Sequence, residues 1–163
     1  MGLKPVNMAG WLKDVNDNFD TIDPLVSGDE AGLGVLRVAR FVFDAGVEAN
    51  RPIGAYGTGV TIPIHAIVVG GFVDVNTAFT GETGATLAIH VQAANDIISA
   101  AAVSGAPYST IGRKAITPKA NTPESTSVKT TAAREITCTV AVEALLTGKL
   151  TGYLYYVEGI ASA

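Results

Sequence analysis

Cysteine is almost missing from this sequence of 163 residues, since Cys138 is the single one. One cysteine excludes an intrachain disulfide and a zinc site built from several cysteines. Cys138 alternates with polar residues in a run that places Ile136, Cys138 and Val140 on one side of a predicted strand. We therefore expect Cys138 to be a small buried side chain rather than a reactive thiol.

Charge is also scarce, because only 16% of the residues are charged although 48% are hydrophobic. Soluble domains usually contain about 25% charged residues, so we expect other protein chains to cover part of the surface. The net charge is -4 and the basic residues are scattered, with Arg113 and Lys114 the single adjacent pair, which we predict to lie in a solvated loop. A nucleic-acid partner is not expected, because phosphate binding needs clustered Lys and Arg.

The sequence has no uninterrupted apolar run of the length that a membrane helix needs, which is about 20 residues. Its longest apolar stretch, residues 62–79, contains Pro63, His65, Gly70, Gly71 and Asp74. No apolar stretch follows the first charged residues in the manner of a signal peptide. We expect no membrane partner, and synthesis in a cytoplasm.

Catalytic and metal-binding motifs are missing as well. His65 and His90 are the two histidines, in different predicted strands and without metal-ligand spacing, and we expect both at the surface or rim. No Gly-x-Ser-x-Gly elbow occurs. Asp74 and Glu143 are expected on outward strand faces without an acid-base partner. The sequence predicts no enzyme, no catalytic residues, no metal site and no cofactor.

Three glycines, Gly54, Gly57 and Gly59, resemble a phosphate-binding loop only superficially. No Gly-Lys-Ser/Thr follows them, and the next residues, "VTIPIH", are extended rather than helical. We interpret residues 54–63 as a loop with positive φ angles and a short extended piece.

Residues 8–22 have the spacing of an amphipathic helix, which Asn7 caps and Asp23-Pro24 ends. Such a short helix is marginal by itself, and its stripe packs either on its own domain or on a neighbouring subunit or partner. A flexible spacer, "SGDEAGLG", follows, so we predict an arm and spacer over residues 1–34 and a β domain over 35–163. The apolar stripe of the arm, our candidate partner-binding set, consists of Met8, Trp11, Leu12, Val15, Phe19 and Ile22.

From residue 36 onward the hydrophobic period is two, which predicts strands. We expect strands at 36–43, at 67–79 with a bulge at Gly70-Gly71, and near 86–91. Residues 95–103 are predicted as a brief helix, and residues 105–126 as a long surface loop with at most one short strand. Two runs, 135–144 and 150–157, are predicted to form a hairpin around Thr147-Gly148-Lys149. Short strands and long loops together predict a mainly β fold, an antiparallel β-sandwich of jelly-roll type.

The run "GYLYYVEG" near the end places Tyr153 and Tyr155 on one face of its strand and Leu154 and Tyr156 on the other. A strand that is apolar on both sides is central in a sandwich or covered by a neighbour. We predict Tyr153 and Tyr155 as a candidate subunit interface. Stacking on a sugar ring is the alternative.

The segments "ARFVFD", "GVTIPIHAIVVGGFVDVNTAFTG", "ATLAIHV" and "KTTAAREITCTVAVEALLTGKLTGYLYYVEG" resemble small β-sandwich structural proteins of tailed bacteriophages, over residues 36–159. Within that group the chain is similar to capsid decoration (cement) or head-fibre proteins. The resemblance implies binding to the outer surface of an assembled shell, with the major capsid protein as partner, and clamping of neighbouring capsomers by a homotrimer on the virion. The segment "GWLKDVNDNFDTID" also resembles the openings of phage tail and fibre proteins. The alternative is therefore a tail or head-fibre module that binds a host receptor or carbohydrate.

Overall fold

The computed structural model of the protein describes residues 36–119 and 127–158. The predicted arm, with all six residues of its apolar stripe, lies outside them. The described elements are one short 3-10 helix, Glu48–Asn50, and nine strands: β1 (Leu36–Asp44), β2 (Gly54–Ile62), β3 (Ile67–Gly81), β4 (Thr86–His90), β5 (Ile98–Ala102), β6 (Gly112–Ile116), β7 (Val128–Lys129), β8 (Arg134–Ala141) and β9 (Leu145–Val157).

The strands form two antiparallel sheets. The first sheet has the order β1-β9-β3-β6, with the two-residue β7 also paired to β3, and the second has the order β2-β8-β4-β5. Along the chain, β1 lies in the first sheet and β2 in the second, and strands that pair are mostly distant in sequence. Eight longer strands in two such sheets form a jelly roll. The predicted antiparallel β-sandwich is confirmed.

The core lies between the sheets and follows from the alternation of the strands. In β1 the side chains of Ala39, Phe41 and Phe43 are buried, while those of Leu36, Val38 and Arg40 are exposed. Strand β8 buries Ile136, Cys138 and Val140 in the same way, which confirms the interpretation of Cys138 as a core residue. Alternate residues of a strand point to opposite faces, so one side of each sheet supplies the core.

Two segments that were not predicted as full strands form strands. Residues 54–62 form β2, paired with β8, with a bulge between Gly57 and Thr61 where the backbone N–H of Gly59 donates to the Glu135 carboxylate. Gly59 does have the positive φ angle that was predicted, 76°. The predicted helix at 95–103 is replaced by β5. Asp96 does not cap a helix there: its carboxylate accepts the backbone N–H groups of Val91, Gln92 and Ala93 and so holds the turn before β5.

The predicted hairpin is also wrong. Strand β8 pairs with β2 and β4 in the second sheet, whereas β9 pairs with β1 and β3 in the first. The connection at residues 142–144 therefore crosses between sheets, and Glu143 lies in this connection rather than on a strand face. Gly148 lies inside β9 at φ 135°, where a Cβ would overlap the ring of Phe79, so this glycine serves close packing and not a turn.

The long loop after β5 confirms the prediction of one short strand, β6, but it also contains a core residue. The ring of Tyr108 is fully buried and packs edge-to-face on Phe79, with 5.7 Å between centroids. The backbone carbonyl of Tyr108 accepts the N–H of Phe79, which ties the loop to β3.

Candidate interaction surface

The outer face of the first sheet, on the side away from the core, carries the described feature most suited to binding. Strands β1, β9, β3 and β6 contribute adjacent residues to this face because their antiparallel registers align them. One rung contains Val38, Tyr155 and Gly70, and the next contains Arg40, Tyr153, Phe72 and Ala115. We call the set Val38, Arg40, Phe72, Arg113, Tyr153 and Tyr155 the aromatic face.

Phe72 lies at the centre of the ring contacts on this face. Its ring stacks on Tyr153, with centroids 4.7 Å apart, and meets Tyr155 edge-on at 6.2 Å. The guanidinium carbon of Arg113, from β6, lies 4.8 Å from the Phe72 centroid, a cation-π geometry. These contacts fix the rings without burying them, since Phe72, Tyr153 and Tyr155 are all only half-buried.

Exposed aliphatic side chains extend the aromatic face toward one end of the sheet. Leu36 is 56% exposed and Val38 is 55% exposed, both on the outward side of the edge strand β1. Val69, 54% exposed, lies at the bulge that shifts the β3 register beside Tyr155. Apolar groups that cluster in this way are typical of a surface that another protein covers.

Charged groups lie toward the other end of the same face. Asp74 is directly opposite Arg113 in the pairing of β3 with β6, and Arg40 is opposite Tyr153. Farther along, Lys149 Nζ lies 2.8 Å from the Asp44 carboxylate. The hydrogen bond from Lys149, together with that from the Gly46 N–H, lowers the pKa of Asp44 below its usual value. The face therefore carries charges of both signs.

The outer face of the second sheet has a different composition. Its outward positions are mostly small or hydroxylated, with Glu135 and His90 as larger polar residues. The small and hydroxylated ones are Ala55, Gly57 and Thr61 on β2, Thr137 and Thr139 on β8, Thr86 and Ala88 on β4, and Ala100 and Ala102 on β5. None of these outward positions holds Phe, Tyr or Trp. The two faces of the sandwich thus differ chemically, and the aromatic face is the one equipped for apolar contacts.

The sequence predicted part of the aromatic face. Tyr153 and Tyr155 do share one outward face of β9, and their role as a subunit interface stays a prediction. The sequence analysis missed Phe72, and it placed Arg113 and Lys114 in a solvated loop, whereas both lie in β6. The contact of Phe72 with the two tyrosines depends on the pairing of β3 with β9, and no local sequence pattern predicts that pairing.

The residues considered for chemistry are spread over the sandwich. His90 lies on the outer face of the second sheet, and His65, at φ 65°, precedes β3 and donates its backbone N–H to the Thr130 carbonyl. Cys138 is buried, and this burial raises the pKa of its thiol to about 12. Within residues 36–119 and 127–158, no three His, Cys, Asp or Glu side chains lie together in a way that could hold a metal ion. In that same part of the chain, no helix has the length and apolarity to cross a membrane.

No protein-family model and no curated protein sequence matches the chain. Solved structures of phage capsids do match it. A chain in the capsid of Ralstonia phage GP4 has a TM-score of 0.57 and 18% identity, over 82% of this chain and 89% of that one. A chain in the capsid asymmetric unit of cyanophage Pam1 has a TM-score of 0.52 and 19% identity, over 78% and 88%.

The described domain shares its fold with these chains from phage capsids. A third example, from the acid-stable capsid of Helicobacter pylori bacteriophage KHP30, has a TM-score of 0.51 and 12% identity, over 76% of this chain and 87% of that one. At such identities the likeness is one of fold. Each alignment spans most of both chains, so the jelly roll is shared with chains close to this one in length.

Proposed function

We propose that this protein is a structural component of a phage virion that binds the outer surface of the assembled capsid and stabilises neighbouring capsomers. The observation that carries the proposal is the match of the jelly roll, over most of its length, to chains in three phage capsids. Because each match covers most of both chains, the matched proteins are themselves small subunits and not single domains of a much larger protein. A small subunit is suited to decorate a shell that larger chains build.

The surface chemistry is consistent with this role. Charged residues are few, and the aromatic face leaves Leu36, Val38 and Val69 more than half exposed. A chain with such a surface is expected to be covered by neighbours in its working state. The major capsid protein is the partner that we propose, and many modest contacts over one shell would add up through avidity.

The proposed role is structural and includes no catalytic activity. The sequence offers no nucleophile, base or metal motif, and Cys138 is fully buried in the core. Burial also raises the pKa of its thiol to about 12, which disfavours the reactive thiolate further. A panel of hydrolase substrates tested on the purified full chain should give no turnover above that of a blank.

Copy number per particle tests the proposal directly. Quantitative mass spectrometry of purified virions from the source system should find this chain at a lattice-wide ratio to the major shell protein, near one to one. Only a few copies per particle would place the chain at a tail, neck or fibre position instead. Absence from virions would reject the structural role.

The alternative role, a fibre module that binds a host receptor or carbohydrate, is favoured by one feature. Tyr153, Tyr155 and Phe72 form an outward aromatic surface with Arg113 beside it, and such surfaces can stack on sugar rings. The contact between Phe72 and Tyr153 engages one face of each ring with the other ring, which leaves less ring surface for a ligand. A glycan array probed with the assembled full chain separates the two roles, since the capsid role predicts no binding.

A further inference from the structure

We propose that the aromatic face is a self-association surface, covered in solution by a second copy of this chain. Self-association through this face goes beyond the proposed capsid role and does not depend on it. The proposal commits to a second copy because three properties of the face, its exposed apolar groups, its mixed charges and its area, suit contact with another copy of the same chain.

The first property is the exposed apolar surface of side chains on strands whose backbone groups are already hydrogen-bonded within the sheet. Strand β9 is paired on both sides, by β1 and β3, so its outward Tyr153 and Tyr155 offer side chains only. Burying such rings together with Val38 and Val69 removes apolar surface from water, which favours association. Aromatic side chains held by their neighbours also lose little conformational entropy when a partner covers them.

The second property is the presence of both charge signs on the face. Arg40 and Arg113 are exposed, and Asp74 lies on the same face opposite Arg113. When two copies of one chain associate through the same face, the charged groups of one copy lie against the charged groups of the other. A face that carried only cations would therefore repel its own copy. A face with Asp74 among its arginines can supply an opposite charge to each copy.

The third property is area. Strands lie about 4.8 Å apart and rise about 3.3 Å per residue, so nine residues each of β1, β9 and β3 with the five residues of β6 make a face of roughly 500 Å². Two such faces in contact bury on the order of 1,000 Å², which is about the lower limit for a specific protein interface. Sheets pack face to face in this way at about 10 Å separation inside sandwiches. The outer face of the second sheet has comparable area but carries no exposed large apolar cluster to drive such contact.

Light scattering coupled to size-exclusion chromatography tests the proposal on the full chain without any capsid present. The wild-type chain should form an oligomer across a roughly hundredfold concentration range. Val38→Glu and Val69→Glu should each weaken the association at least about tenfold, because each places an extra carboxylate in the apolar part of the face. Both positions are more than half exposed, so neither substitution should disturb the core.

Ile53→Glu is the matched control. Ile53 is 60% exposed and lies just before β2 of the second sheet. As in the two valine variants, the substitution replaces an exposed β-branched aliphatic side chain with a carboxylate. Association should be unchanged in this variant. Thermal melts of all three variants check that each is folded, and two face variants keep the test decisive if one fails to fold.

Two results would overturn the proposal. One is a wild-type chain that is monomeric at every concentration. The other is an oligomer whose dissociation is no more sensitive to Val38→Glu and Val69→Glu than to Ile53→Glu. Neither result depends on whether the chain binds capsids, so failure of self-association and failure of the capsid role are separate observations.

Discussion

Burial of the Cys138 thiol links the stability of the fold to pH. In the folded protein the pKa of this thiol is raised from its ordinary 9.0 to about 12, because burial disfavours the thiolate. The unfolded chain therefore loses this proton first, so the stabilising contribution is complete below pH 9 and is lost as pH rises toward 12. The free energy of unfolding should fall by about 1.4 kcal/mol per pH unit in this window from this group alone.

Urea unfolding at several values between pH 9 and pH 11 measures this slope. Cys138→Val keeps an apolar side chain of similar size and removes the titrating group, so its slope should be shallower than that of the wild-type chain. Equal slopes in the two proteins would show that the thiol is not protected by the fold. A thiol reagent at neutral pH should react with the wild-type chain only under unfolding conditions.

Tyr108 gives a second prediction at the scale of one residue. Its ring is fully buried, and its hydroxyl has no hydrogen-bond partner among the described residues. Burial raises the pKa of this phenol, and the nearby Cys138 raises it by a smaller amount. Leaving a buried polar group without a partner costs about 1 to 3 kcal/mol, so Tyr108→Phe should raise the free energy of unfolding by about 1 kcal/mol.

Denaturant unfolding of Tyr108→Phe checks this, with Tyr108→Ala as a contrast. Removal of the whole ring should lower stability by about 3 to 5 kcal/mol, because it leaves a cavity against Phe79. If the Phe variant were less stable than the wild-type chain, the hydroxyl would have to make a hydrogen bond.

At the scale of elements, the turn before β5 depends on a single carboxylate. Asp96 accepts three backbone N–H groups at 2.8 to 2.9 Å, those of Val91, Gln92 and Ala93. Asp96→Ala leaves these donors without their acceptor and should destabilise the protein by about 2 to 4 kcal/mol. Thermal or urea unfolding measures the loss, and Ser99→Ala, at an exposed position of β5, should change stability by less than about 0.5 kcal/mol. Similar effects from both substitutions would mean that Asp96 does not anchor the turn.

Local sequence patterns predicted some of the strands and missed others, among them β5, which follows this turn. Strands β1, β3 and β4 were predictable because their larger apolar residues recur at every second position, as in β4, where Leu87 and Ile89 are buried while Thr86 and His90 face outward. Strand β5 reads "ISAAA", and its alanines give almost no contrast between the two faces. Strand β2 has the same weakness, because it contains Gly54, Gly57 and Gly59, and these small residues conceal the period of two. Asp96 and Asn95 resembled helix caps because the same side chains also hold turns.

At the scale of the whole molecule, strand pairing was the part that sequence did not predict. The runs that form β8 and β9 are adjacent along the chain, and local rules favour a hairpin between them. In the jelly roll they separate, so that each becomes central in a different sheet. The aromatic face depends on this assembly: Phe72 meets Tyr153 only because β3 and β9 pair, although 81 positions separate the two residues. Alternation located Tyr153 and Tyr155, whereas the rest of the face follows from topology.

The last prediction concerns the arm, residues 1–34, which lies outside the described residues. We expect deletion of this segment to leave the β domain folded, because the two sheets enclose a complete core of their own. The deletion should weaken binding to capsids, because its predicted apolar stripe would be lost from the contact. Trp11→Ala and Phe19→Ala should each cost about 3 kcal/mol of binding free energy where the ring is fully buried, roughly a hundredfold in affinity.

Co-sedimentation of the full chain and its variants with shells stripped of this protein measures the effect. Asn16→Ala and Asn18→Ala, at polar positions of the same predicted helix, are the matched controls and should bind as the wild-type chain does. Circular dichroism of the truncated chain should retain the β signal of the sandwich. If the truncated chain binds shells with unchanged affinity, the arm has no part in the contact, and shell binding rests on the β domain alone.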